Sequence, residues 1–193
     1  MRTVFNDLQD KGIIPTLFFL NAGLAGKAVL ESPSDFRSDL HEKIFATNYF
    51  GVLYWVENWL PMSLNTGATF VVTGSINAIF APPGGGGYAA SKAAISKAFE
   101  GFALTYPNSN VTFSVVYAGP IASKGLEGRL PFTWKPEKMA KYMIKKALKK
   151  KTRVENSLFY SLLARLLRVL PDRLTLKLLG RVRISRLQKR DIQ

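Results

Sequence analysis

The chain predicts an α/β fold, a parallel sheet covered by helices on both faces. Two observations carry that expectation. Three short apolar runs, Thr16 to Leu20, Ala68 to Thr73 and Val111 to Tyr117, are separated by segments of helical pattern. Strands that alternate with helices pair in parallel, and both faces of such a sheet are buried, so the runs read as apolar throughout.

In chain order, residues 1–12 read as the end of a helix stopped at Gly12. The apolar run from Ile13 is broken by Pro15, and its last part, Thr16 to Leu20, leads into Asn21-Ala22-Gly23. Ser34-Asp35-Phe36 offers a helix start, and an amphipathic segment continues to about Leu60, before Pro61. The second strand is closed by Ser75, and a loop with Pro82, Pro83 and Gly84 to Gly87 leads to a small-residue helix over about 88–105. The third strand ends at Ala118-Gly119-Pro120. Helical pattern returns at 136–151 and from about 157. Residues 1–150 therefore read as the sheet domain and 151–193 as a basic helical tail.

At 193 residues, with 47% apolar and 12% aromatic content, the chain is long and apolar enough for one buried core. Without cysteine it has neither disulfides nor thiolate metal sites. Its one histidine, His41, founds no metal site alone, and Asp39, Glu42 and Lys43 around it suggest an exposed helix position. No secretory leader or run of eighteen apolar residues is evident, so a cytoplasmic setting is expected. Charge is uneven. Residues 1–123 hold seven Lys/Arg against eight Asp/Glu, and residues 124–193 hold twenty against five.

The chemistry points to Tyr88 and Lys92, four residues apart and hence on one helical face, with Ser75 thirteen residues before the tyrosine and Asn48 earlier. A free phenol, with a pKa of ~10, is a poor base at pH 7, and moving it about three units takes roughly 4 kcal/mol. One ammonium at about 4 Å supplies about that at an effective dielectric near 20. Tyr142 and Lys146 repeat the spacing with Arg129 in place of the serine, so the bare pair means little and reads there as solvated helix surface. The company of Ser75, the Pro/Gly loop and the small-residue helix distinguishes the first pair. The glycine run is no phosphate loop, because no Gly-Lys-Ser/Thr follows it.

These residues resemble the short-chain dehydrogenase/reductase family over about 1–150, which implies a Rossmann-like, doubly wound parallel sheet. Asn21-Ala22-Gly23 is similar to the turn after the family's fourth strand, and Asn48 falls where the family has its helix asparagine. Ser75, Tyr88 and Lys92 match its catalytic trio at the usual spacing. Ala118-Gly119-Pro120-Ile121-Ala122-Ser123 resembles its nicotinamide-contacting segment, with Ala118 for a proline and Ser123 for a threonine.

The resemblance implies an NAD(P)-dependent oxidoreductase that interconverts a ketone or aldehyde and an alcohol. Tyr88 would carry the proton, Lys92 would lower its pKa and grip the ribose, and Ser75 would hold the substrate oxygen. Asn48 would bend its helix and hold a water linking Lys92 to solvent. Asn21, Ala22, Gly23, Tyr88, Lys92, Gly119, Ile121 and Ser123 would line the cofactor. NADP is slightly favoured, although the ribose-discriminating residue has no counterpart here. The expected substrate is small and apolar, and homo-oligomers would pair through 35–60 and 88–105.

The family opens with a strand, a glycine-rich turn and a helix that hold the pyrophosphate. No Gly-x-x-x-Gly-x-Gly stands near Met1, so the N-terminal βαβαβ half, on the order of 70 residues, reads as missing. A late start codon or a disrupted frame explains this better than degeneration. The rival reading is a catalytically inactive relic serving as a membrane-surface or protein-interaction module.

The tail has one helical apolar stripe of Leu158, Phe159, Leu162, Leu163, Leu166, Leu167 and Leu170, with Arg165 and Arg168 off it. Two readings stand level: the stripe lies in a membrane interface through 157–193, or it packs on the domain, on a partner subunit or over the substrate cleft. Nucleic-acid binding is disfavoured, because leucine dominates the stripe and no recognition motif appears.

Overall fold

Four strands form one parallel sheet in the order of the chain: β1 (Leu17–Leu20), β2 (Ala68–Thr73), β3 (Val111–Tyr117) and β4 (Arg153–Glu155). The structure, a computed structural model, describes residues 2–24, 37–82, 85–122 and 130–187. The helix start expected at Ser34-Asp35-Phe36 and the residue Ser123 lie outside the described residues.

Alternation along each strand sends side chains to two cores. One face carries Phe18, Leu20, Phe70, Val72, Phe113 and Val115. Helices α3 (Gly51–Thr66) and α4 (Gly86–Thr105) cover it with Val52, Val56, Trp59, Ile95 and Phe99. Phe5 and Leu8 of α1 (Arg2–Asp10) pack at its border. Phe70 stacks between Phe18 and Phe113, with ring centroids 4.5 and 5.4 Å away. The opposite face carries Val71, Val116 and Val154 under Met139, Met143 and Ala147 of α5 (Pro136–Leu148).

The helices on both faces match the doubly wound expectation. The strands are added in one direction, yet α5 crosses on the face opposite α3 and α4. The third crossover therefore has the opposite hand from the first two, a departure from the usual single hand.

Three expectations need correction. The helix does not stop before Pro61 but runs to Thr66. Pro61 removes one bond to the carbonyl of Glu57, and both residues are exposed, so water replaces it. Buried Trp59 and Ser63 hold the helix on either side. Next, the strand β4 went unread, because Val154 is its only apolar residue between Arg153 and Glu155. It carries the sheet past residue 150, where the sequence suggested a boundary. Finally, His41, on α2 (Ser38–Phe45), is half-buried, with its ring so close to Gly87 that an added Cβ there would meet it at 3.0 Å.

Beyond β4 come α6 (Leu158–Val169) and α7 (Asp172–Leu187). The stripe on α6 does not pack on the domain. Ser161 and Ala164 face inward, while Leu158, Phe159, Leu162, Leu163 and Leu166 are exposed. Leu167 and Leu170 are half-buried.

Candidate active site

The predicted residues gather where β1, β2 and β3 end, the edge at which open α/β sheets present ligand sites. Ser75 follows β2 and is buried. Its hydroxyl accepts the Asn77 amide at 3.1 Å, starting the short 3-10 turn Ile76–Ala78. A serine hydroxyl that accepts one bond keeps its own hydrogen for another partner. Tyr88 stands in the first turn of α4, half-buried.

Lys92, one turn on, is 4% exposed, and its Nζ lies 5.9 Å from the Tyr88 ring centroid. That ammonium donates to the Thr73 carbonyl at 2.6 Å. Burial lowers the Lys92 pKa to about 8. The expectation that Lys92 depresses the phenol is not met in this arrangement. Burial pushes Tyr88 above its ordinary value, and the neighbouring Ser75 hydroxyl opposes this only in part.

Asn48 occupies the middle of a π-helical segment, Ala46–Phe50, between α2 and α3. Its side chain is fully buried. Oδ1 accepts the Leu24 amide at 2.7 Å, and Nδ2 donates to the Leu24 carbonyl at 3.0 Å and to Ser91 Oγ at 2.9 Å. Ser91 in turn donates to the Tyr88 carbonyl at 2.8 Å. Both Nδ2 hydrogens are thus used. The side chain clasps the chain after Gly23 and the Tyr88–Ser91 turn of α4, and its Oδ1 faces the same side of Gly23 as Lys92 Nζ, 3.7 and 3.3 Å from where a Cβ there would lie. The local widening of the helix agrees with the expected bend.

The exposed turn Asn21-Ala22-Gly23 follows β1. Asn21 Oδ1 accepts the Thr73 hydroxyl at 2.8 Å. Gly23 passes so close to α4 that an added Cβ would lie 3.3 Å from Lys92 Nζ. After β3, the Gly119 amide donates to Asn156 Oδ1 at 2.7 Å, and a Cβ on Gly119 would meet Ser157 Cβ at 3.1 Å. Ile121 bridges to Trp134 in parallel.

Thr73, Ser91 and Asn156 were missed from sequence. Each acts through a partner 19, 43 or 37 residues away, which no local pattern announces. Asn156 is buried, and among the described residues its Nδ2 has no partner.

Two cavities flank β1. One, of about 460 Å³, is lined by Phe19, Asn21, Thr73, Ile121, Met139 and Met143 among others. The other, of about 560 Å³, runs along Leu17–Ala22 towards Thr47 and Trp55. Neither is lined by Ser75, Tyr88 or Lys92. The second tyrosine–lysine pair lies apart from the site. Tyr142 donates to the Glu155 carbonyl at 2.8 Å, and Lys146 Nζ stands 5.1 Å from its ring centroid. Proximity of the two side chains therefore does not distinguish the pairs; the neighbouring groups do.

A family model described as short chain dehydrogenase matches residues 9–130. Among curated proteins, the uncharacterized oxidoreductase YghA of Escherichia coli (strain K12) is 33% identical over 99 residues, 51% of this chain and 33% of that protein. The chain thus spans about a third of that relative's length. A short chain dehydrogenase from Burkholderia cenocepacia J2315 in complex with NADP superposes with a TM-score of 0.72 at 24% identity, covering 87% of this chain and 72% of that one. The RhlG/NADP active-site complex of Pseudomonas aeruginosa gives 0.70 at 20% identity, covering 83% and 72%. At such identities the likeness is one of fold, and membership rests on the family match across well over half of the sequence: the chain belongs to the short-chain dehydrogenases.

Proposed function

We propose that the protein is an NAD(P)-dependent oxidoreductase acting on a small apolar ketone, aldehyde or alcohol. The observation that carries this reading is the convergence of Ser75, Tyr88 and Lys92 at the strand ends, with Lys92 Nζ 5.9 Å from the Tyr88 ring centroid. A phenol pushed up by burial stays protonated at neutral pH, which suits proton donation to a carbonyl oxygen and hence reduction. Ser75, with its hydrogen free for an oxygen, is suited to hold that carbonyl as charge develops. Lys92 and Asn21 face the same end of the sheet. Thr73 ties both to β2.

The residues present fit the nicotinamide end of such a cofactor. Gly23 and Gly119 permit close backbone approach, and the unpartnered Asn156 Nδ2 lies beside Gly119. Asn21, Ala22, Gly23, Tyr88, Lys92, Gly119, Ile121 and Ser123 are the proposed holding set. When bound, the cofactor would supply or accept the hydride. NADP is slightly favoured, in keeping with the NADP complexes of the Burkholderia and Pseudomonas structures.

The test is NADPH oxidation by the purified chain with hydrophobic ketones at saturating cofactor. Tyr88→Phe should lower the rate by about 10²–10⁴-fold, the usual worth of a positioned acid. Equal rates for the two proteins would overturn the role of Tyr88.

A second reading is a scaffold without turnover. Neither cavity beside β1 is lined by Ser75, Tyr88 or Lys92, which favours it. It predicts no NADPH oxidation above background in either protein.

A further inference from the structure

We propose that α6 docks flat on an anionic lipid surface through its exposed apolar face. This rests on the surface of α6 and not on the oxidoreductase reading. The helix is amphipathic in an unusual sense, because its inward side is small and polar while its outward side is apolar. Ser161 and Ala164 meet the domain. Leu158, Leu162 and Val169 stand 71, 62 and 75% exposed, with Leu166 and Phe159 between them. Phe132, itself exposed, packs its ring 5.4 Å from that of Phe159 and widens the patch beyond the helix.

The helix is held in this orientation by specific bonds. Arg165 pairs with Glu155, the Tyr160 hydroxyl donates to the Pro131 carbonyl at 2.9 Å, and Ser157 caps the N-terminus. Leaving this face to water forfeits burial of several large apolar side chains.

Charge selects the occupant. Arg168 at the edge of the stripe and Arg173 and Lys177 just beyond it are all exposed. A second copy would bring a like-signed face against this one, since residues 124–193 hold twenty Lys/Arg against five Asp/Glu. Anionic headgroups complement the cations, and long basic side chains reach them while the leucines enter the acyl boundary. Twelve residues rise about 18 Å, short of a ~30 Å hydrocarbon core, so the helix lies in the interface and does not span it.

Flotation of the full 193-residue chain with phosphatidylcholine vesicles, with and without phosphatidylserine, tests this. The protein should float with the serine-containing vesicles, less so as salt rises. Leu162→Asp/Leu166→Asp should reduce partitioning by about tenfold or more. Both side chains are exposed, so an unchanged circular dichroism spectrum and melting curve will verify that the variant folds. Failure of the wild type to float, equal flotation of the variant, or equal binding to uncharged vesicles would overturn the proposal. So would a wild-type dimer that this double variant disperses, because a second copy would then cover the face.

Discussion

Lys92 shows how the site trades stability for chemistry. The residue is 4% exposed, and burial brings its pKa to about 8 from an ordinary 10.5. Holding the charge in the fold at pH 7 therefore costs about 3 kcal/mol. The folded protein sheds this proton before the unfolded chain does, so stability rises with pH between about 8 and 10.5. Lys92→Met removes that cost and loses one bond to the Thr73 carbonyl, worth about 1 kcal/mol. Denaturant unfolding of the variant at pH 7 should show a net gain of about 1–2 kcal/mol. The gain should shrink as pH approaches 10. A loss of stability at pH 7 would mean that the lysine is better solvated than its surroundings imply.

At the level of elements, α6 is pinned chiefly by Glu155, the last residue of β4. Its carboxylate pairs with Arg153 at 2.8 Å and with Arg165 of α6. Burial pushes this carboxyl up, yet the hydrogen bonds from Arg153 and Arg165, with the neighbouring Ser161 hydroxyl, together bring it below the usual range. A depressed carboxylate stabilises the fold above its unfolded pKa, and the contribution is lost as pH falls through the folded value. Glu155→Gln should cost about 1.5–3 kcal/mol at pH 7, the worth of a charge-assisted bond. The difference from wild type should narrow towards pH 3. Thermal melts across that range will measure it.

The same element marks a limit of sequence reading. The apolar runs that became β1, β2 and β3 were visible because a strand buried on both faces has a nearly continuous apolar signature. A three-residue edge strand with one valine has none. The Tyr88–Lys92 pair was visible from its spacing and company, whereas Thr73, Ser91 and Asn156 act across the fold and leave no periodic trace.

For the molecule as a whole, the arrangement is one-sided. Among the described residues β1 is paired only with β2, and cavities open on both of its flanks. The groups suited to a nicotinamide lie at the ends of β1, β2 and β3. Fluorescence titration with NADPH should show a response that Lys92→Met weakens by about tenfold, the worth of one charge-assisted bond. Equal titrations for the two proteins would remove Lys92 from the proposed holding set.

The bond from Gly119 to Asn156 also bears on the order of events at the ribosome. Its partners are 37 residues apart, with the receiving group the later one to be made. At translation rates of about 5–20 residues per second, the segment after β3 waits about 2–7 s for its anchor. Until then three strands can already associate, while the Gly119 amide has nothing to set against. A nascent chain halted before Asn156 should thus display a formed hydrophobic centre with an unfinished mouth.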